Sequence, residues 1–160
     1  MRIKGITDED FVNYRRPSMY ICTSVCDFKC EKECGQRCCQ NSDLAKAPSI
    51  IVEDDVIIER YISNDITHAV VIGGLEPFDQ FEELIEFVNK IRTNYHCMDD
   101  IVIYTGYYPD EIKGELATLS YFPNVIVKFG RYIPGQSKKY DDLLHVWLAS
   151  PNQYSEMISK

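Results

Sequence analysis

The sequence predicts an α/β fold with a mostly parallel sheet of about five to six strands, and three observations predict it. Short β-branched runs without charge alternate with amphipathic stretches of helical period. Those runs give out into glycines, at Gly73-Gly74, Gly106 and Gly130. The length of 160 residues, 45% hydrophobic and 26% charged, suits one soluble core, so residues 1–160 are read as a single domain. There are too few βα units to close an eight-stranded barrel.

Residues 1–16 are charged and weakly periodic, and Pro17 ends whatever precedes it. Ser18–Ile21 reads as a short buried strand running into the stretch 22–41. That stretch lacks apolar periodicity and contains Gly35, so it reads as a loop shaped by what it binds. Residues 42–49 form a polar connector and Ile50–Val52 a short extended piece. Asp54–Ile62 reads as a helix, with apolar residues at 56, 57, 58, 61 and 62. Ala69–Gly74 has the composition of a buried parallel strand. Asp79 then caps a helix through Ile91, with Phe81, Leu84, Ile85, Val88 and Ile91 on its apolar face and Glu82 completing a capping box. Ile101–Tyr104 is the next strand, and Pro109–Leu119 a helix with proline in its first turn. Asn124–Phe129 is a fourth strand, Leu143–Leu148 a fifth, and a polar tail follows. No repeat, low-complexity segment or domain boundary interrupts this order.

The net charge of −8 and the lack of a basic stripe exclude generic nucleic-acid binding. Lys128, Arg131, Lys138 and Lys139 do cluster, either as a solvated loop or as a local docking or anion-binding patch. No apolar run approaches the ~18 residues needed to span a membrane. The first residues carry charges throughout and have no apolar core of a signal peptide, so the expected location is the reducing cytoplasm. There, clustered thiols favour metal over disulfides.

Thiols are the chemistry this chain concentrates. Of its seven cysteines, all but Cys97 fall in Cys22–Asn41, at 22, 26, 30, 34, 38 and 39. Such a gathering holds a soft metal or an iron–sulfur cluster, or pairs as disulfides. In a parallel sheet the cysteine loop shares one edge with Gly73-Gly74-Leu75-Glu76-Pro77 and with Tyr104-Thr105-Gly106-Tyr107. The plain alternatives are a tight turn into a helix at the glycines and a helix-start carboxylate at Glu76. Tyr104 and Tyr107 read as core or rim aromatics. His68, His96 and His145 have no metal-ligand spacing and read as structural or exposed.

A cysteine loop after the first strand, followed by Gly-Gly-x-Glu-Pro after the second, resembles the radical S-adenosylmethionine (SAM) enzymes. More closely, the chain resembles the activating proteins of anaerobic ribonucleotide reductase. Ile103-Tyr104-Thr105-Gly106-Tyr107 is similar to their Leu-Tyr-Thr-Gly-Tyr strand end. Phe129-Gly130-Arg131-Tyr132 is similar to their Asp-Gly-Arg/Pro-Phe segment, and Ala149-Ser150-Pro151-Asn152-Gln153 to their terminal Gly-Ser-Ser-Asn-Gln. The similarity runs in order along nearly the whole chain. It implies a partial (β/α) barrel-like fold of radical SAM type and a 4Fe–4S cluster held by three cysteines. One iron is left open to chelate SAM.

The resemblance implies Cys26 and Cys30 as the first two ligands, because Asp27-Phe28-Lys29 resembles the family's spacer. The expected C-x3-C-x2-C pattern is not kept, and two residues compete for the third position. Cys34 is nearer but follows charged Glu33. Cys39 is favoured, because Cys39-Gln40-Asn41 resembles the family's Cys-Phe/Tyr-Asn ending; it requires an insertion over 31–37. Cys22 and Cys38 are then structural or spare, and Cys97 lies in a connector. Leu75 is a second departure, since the family reads Gly-Gly-Glu/Asp-Pro. The resemblance places Glu76 or the Gly73 and Gly74 backbone at the SAM amino group, with Pro77 in the same cofactor-binding motif, and Thr105 and Gly106 at the adenosine. It gives Asn152 and Gln153 either a polar contact beside SAM or a C-terminal turn.

The implied activity is reductive. An external donor such as flavodoxin reduces the cluster, SAM is cleaved to methionine and a 5′-deoxyadenosyl radical, and the radical takes hydrogen from a glycine of the reductase catalytic subunit. Activation of another glycyl radical enzyme is the alternative within this chemistry; the absence of further ferredoxin-like cysteine sets weighs against it. A zinc-binding interaction module is the non-enzymatic alternative, but the spacing is not the C-x2-C of zinc knuckles and the glycine motif goes unexplained.

Overall fold

The computed structural model describes residues 1–159. Its strands are β1 (Arg2–Asp10), β2 (Ser18–Thr23), β3 (Ile50–Ile51), β4 (Ala69–Gly74), β5 (Asp100–Tyr104), β6 (Val125–Phe129), β7 (Lys139–Asp141), β8 (Val146–Leu148) and β9 (Tyr154–Met157). The helices are α1 (Lys29–Cys34), α2 (Ser42–Lys46), α3 (Asp54–Ile62), α4 (Phe81–Thr93) and α5 (Lys113–Leu119). Seven strands form one sheet in the order β3-β1-β2-β4-β5-β6-β9, and β7-β8 form a separate two-stranded ribbon. The central strands β2, β4, β5 and β6 are parallel; β1, β3 and β9 extend the sheet antiparallel on its flanks.

Each parallel strand is added beside its predecessor in one direction. Right-handed crossovers then put every long helix on the same face. Ile57 and Ile58 of α3, Leu84, Phe87, Val88 and Ile91 of α4 and Leu119 of α5 share one core with Met19, Ile21, Val70, Ile72, Ile101, Ile103, Val125 and Val127. Those strand positions are two apart, as one sheet face requires. The alternate positions Ala69, Val71, Val102 and Ile126 pack instead against Tyr14, Leu144 and Leu148. This one-way order is that of consecutive strands in a (β/α) barrel, but the sheet stays open, with β3 and β9 at its edges.

Several expectations are corrected. The charged opening segment is strand β1, whose alternation of Ile3 and Ile6 with charged residues is blurred by two register shifts against β2. The cysteine stretch contains α1, and residues 42–46 form α2; neither helix buries a residue, so neither shows apolar periodicity. Asp79 caps nothing, because Pro77–Gln80 form a separate 3-10 turn capped by Glu76, and α4 starts at Phe81. Pro109–Leu119 is broken at Ile112 (φ −132°) into a 3-10 turn and α5. Of Leu143–Leu148 only Val146–Leu148 is strand, and it lies outside the main sheet. The Asp141 carboxylate holds the preceding residues in a turn by accepting from the Leu143 and Leu144 amides at 3.1 and 2.9 Å. The polar tail supplies β9, short and paired on one side only. Among the described residues no helix is long and apolar enough to cross a membrane.

The edge of the sheet opposite the glycines is held by Arg92, which is 4% exposed. Its guanidinium donates to the carbonyls of Pro123, Cys97 and Asp99 at 3.1, 2.6 and 2.8 Å. Arg92→Leu leaves those carbonyls without their donor and is predicted to cost about 3 kcal/mol. A urea melt should show a lower midpoint with an unchanged slope.

Candidate metal centre

The loops at the C-terminal ends of β2, β4, β5 and β6 enclose a cavity of about 650 Å³. Three thiols face it, those of Cys26, Cys30 and Cys39. The first is positioned by the turn that follows β4. Gln80 Oε1 accepts from the Ser24 amide at 2.9 Å, the Glu76 amide donates to the Val25 carbonyl at 2.8 Å, and Asp79 Oδ2 accepts from the Asp27 amide at 2.7 Å. Cys26 therefore lies in a segment fixed on both sides. Phe28, in the left-handed region at φ 55°, starts α1 and donates its amide to Cys26 Sγ at 3.3 Å. One residue into that helix comes Cys30.

Gly35 (φ 66°) ends α1, and its amide closes on the Glu31 carbonyl at 3.0 Å. The chain then returns, and the Cys39 amide donates to Glu31 Oε1 at 3.1 Å, which brings Cys39 back beside Cys30. Asn41 Nδ2 bonds the Gly74 carbonyl and closes the loop onto the glycine motif. Cys34 and Cys38 do not line the cavity; their sulfurs lie 2.8 Å from each other instead. Cys22, in β2, and Cys97, packed beside the core, also lie outside it.

The glycine motif is required by close approach. A Cβ on Gly73 would stand 2.8 Å from the Tyr20 hydroxyl. Gly74 sits at φ +87°, and a Cβ there would meet Cys22 at 3.2 Å. Gly74, Leu75 and Glu76 line the cavity, whereas Gly73 and Pro77 do not. Glu76 is 7% exposed. Its carboxylate accepts from Thr105 Oγ1 at 2.7 Å, the Gly106 amide at 2.8 Å and the Phe78 amide at 3.2 Å. Thr105 and Gly106 are thereby drawn to the cavity with it. Asn152 is not; its amide bonds Tyr108 Oη and the Arg131 carbonyl at 2.9 and 2.8 Å. Its neighbour Gln153 lines the cavity and closes the 149–153 turn by accepting from the Ala149 and Ser150 amides.

At Cys26 and Cys30 electrostatics favour the thiol over the thiolate until a cation arrives. Burial, reinforced by Glu76, Asp79 and Cys39 and opposed by the Phe28 amide, pushes Cys26 up to about 12. Burial and the neighbouring Cys39 thiol raise Cys30. Glu76 is raised from 4.5 to about 7 by burial, against its three donors. A bound soft cation reverses this balance, because a coordinated thiol is deprotonated. Cysteine sulfurs are the donors that iron–sulfur clusters take, and three of them on one cavity fit such a group.

Residues 15–154 match the family model of the 4Fe–4S single cluster domain. The chain belongs to that family. Neither a curated protein nor a solved structure matches it. The matched span of this 4Fe–4S domain runs from the turn before β2 into β9 and so contains the whole cysteine loop and the strand ends around the cavity.

Sequence reasoning missed the floor of the cavity. Lys128 and Arg131, grouped with an exposed basic segment, are 6% and 4% exposed. Arg131 pairs with Glu111 and stands 3.0 Å from Glu33 of α1. Lys128 faces the cavity and donates to the Gly130 carbonyl at 3.1 Å; burial lowers it to about 8, opposed by Glu76 and Asp141. Its position two residues after Ile126 in an apolar strand was the available signal. Lys138 and Lys139 are exposed, Lys138 in the segment before β7 and Lys139 at the start of that strand, where its ammonium donates to the Gln153 carbonyl at 3.5 Å.

Protonated Glu76 stabilises the metal-free fold. Because its folded value lies above 4.5, that contribution is complete below about pH 4.5 and is lost as pH rises through 7. Urea unfolding of the metal-free protein should show this decline, about 3 kcal/mol in size. Glu76→Gln should flatten it.

Proposed function

We propose that this 4Fe–4S domain is a radical SAM activase that generates a glycyl radical on the catalytic subunit of anaerobic ribonucleotide reductase. One observation carries the reading: the thiols of Cys26, Cys30 and Cys39 face the same cavity as the loops ending β4 and β5. That cavity, at about 650 Å³, has the size of a site for an organic ligand. In this reading those three cysteines hold the cluster and Cys34 does not. When bound, the cluster delivers one electron from an external donor such as flavodoxin, for cleavage of SAM to methionine and a 5′-deoxyadenosyl radical that takes one hydrogen from the partner's glycine.

The chain's own part is binding, orientation and exclusion of water. The Gly74–Leu75 backbone borders the methionine end of SAM. Glu76, already engaged by Thr105 and Gly106, holds the adenosine-side loop against the cysteine loop. Leu75 and Tyr107 supply apolar wall, and Trp147, 65% exposed on the β7–β8 ribbon, stands at the open side where a glycine loop would enter. Exposed Lys138 and Lys139 are the candidate docking residues for the reductase, and the cytoplasm is the compartment this role requires.

The test is anaerobic. Protein reconstituted with iron and sulfide is given dithionite and SAM, and 5′-deoxyadenosine is measured by chromatography. Product is expected from the wild type and from Cys34→Ala, and only background from Cys26→Ala, Cys30→Ala and Cys39→Ala. Addition of the reductase subunit should then produce a glycyl radical doublet in the electron paramagnetic resonance spectrum. A fully loaded 4Fe–4S protein that makes no 5′-deoxyadenosine overturns the reading.

A further inference from the structure

Two thiols of the cysteine loop remain outside the cavity, and they face each other. Cys34 ends α1, Gly35 turns the chain, and Cys38 comes back over the same turn. Their sulfurs stand 2.8 Å apart. A carbonyl of this turn and one of α1 flank them: Cys34 Sγ lies 3.1 Å from the Gln36 oxygen, and Cys38 Sγ lies 3.7 Å from the Cys30 oxygen. A disulfide bond is about 2.05 Å long, so closure needs the sulfurs to approach by only about 0.8 Å. Both residues are partly exposed, which admits a small oxidant.

We infer that Cys34 and Cys38 form a redox-active dithiol that closes to an intramolecular disulfide by exchange with a disulfide oxidant of the glutathione class. One thiol attacks the oxidant and expels a thiol; the second displaces the other half. The pair loses two electrons and two protons, and the oxidant becomes two thiols. A transient bond of this kind is compatible with a reducing compartment.

The consequence concerns the neighbouring metal centre, and this part rests on the reading of Cys26, Cys30 and Cys39 as ligands. Cys38 is adjacent to Cys39, and Cys34 follows Cys30 by the same interval that separates Cys26 from Cys30. As free thiols both compete for iron. Joined to each other they are withdrawn, and the three sulfurs facing the cavity are left as the ligand set.

The test uses reconstituted protein equilibrated anaerobically in reduced and oxidised glutathione, quenched by alkylation and analysed by mass spectrometry. Trypsin cuts after Arg37, so the bond joins peptide 33–37 to peptide 38–46, with fragment ions locating it at Cys38. A single two-electron transition is expected, with loss of two hydrogens from the chain and retention of cluster absorbance. Cys34→Ser and Cys38→Ser should each abolish the link and keep the absorbance. Cys34 and Cys38 both alkylated throughout, a single-site glutathione adduct in their place, or a link to Cys39 overturns the inference. Failure of the ligand reading is separately visible: Cys34→Ser would lose iron and Cys39→Ser would keep it.

Discussion

A buried carboxylate that accepts hydrogen bonds from more than one segment ties those segments together, and its desolvation makes the tie sensitive to every donor. Glu76 does this where the parallel strands run out. Its side chain holds Thr105 and Gly106 after β5, while its own amide holds Val25 in the cysteine loop. Asp79 repeats the arrangement one turn later, accepting from the Asp27 amide and from Tyr107 Oη at 2.5 Å. Strand ends that belong to three separate βα units are thus fastened to one short turn. The cavity exists because this turn keeps the loops at fixed separations.

The direction of winding supplies the other half of the explanation. A doubly wound sheet reverses direction and buries both faces under helices. Here β2, β4, β5 and β6 are laid down one way, so the helices occupy one face and the other is left for smaller elements. Tyr14, Leu144 and Leu148 close its lower part. Toward the strand ends Tyr20, Tyr104 and Lys128 are left facing the cavity. A lysine on an interior face is costly unless its charge is met, and the Gly130 carbonyl with Glu76 and Asp141 nearby meets it.

Elements with an unambiguous burial pattern were legible in the sequence. Asp54–Ile62 and Ala69–Gly74 have the bounds that the sequence predicts: α3 buries Ile57, Ile58 and Tyr61 on one face, and β4, an uncharged β-branched run, is buried on both faces between the two clusters. Strand β1 was not legible, since it lies between two antiparallel neighbours and carries charge on its solvated positions. Asp79 shows how a local rule is overridden: its spacing to Glu82 fits a capping box, but Pro77 imposes a tighter turn and the carboxylate serves the cysteine loop instead. That the cysteine loop, Glu76 and the Thr105–Gly106 strand end share one edge followed from strand topology; Cys26 among the cysteines was singled out by the resemblance. Lys128 did not, because its charge outweighed its position in an apolar strand.

The uniform spacing of the cysteines conceals how differently the fold treats them. Cys22, Cys26, Cys30, Cys34 and Cys38 recur every four residues, the interval that on one continuous helix would align them as a stripe. No continuous helix runs through them. Cys22 lies in β2, Cys26 in the loop stitched to the 3-10 turn, Cys30 and Cys34 in α1, and Cys38 beyond the Gly35 reversal. The breaks rotate Cys26 and Cys30 into the cavity and set Cys34 against Cys38, while Cys39, the one residue out of step, turns inward beside Cys30. Equal spacing in sequence therefore carries no information on which thiols act together. The positive φ at Phe28 and at Gly35 decides it, and of those two only the glycine announces itself in the sequence.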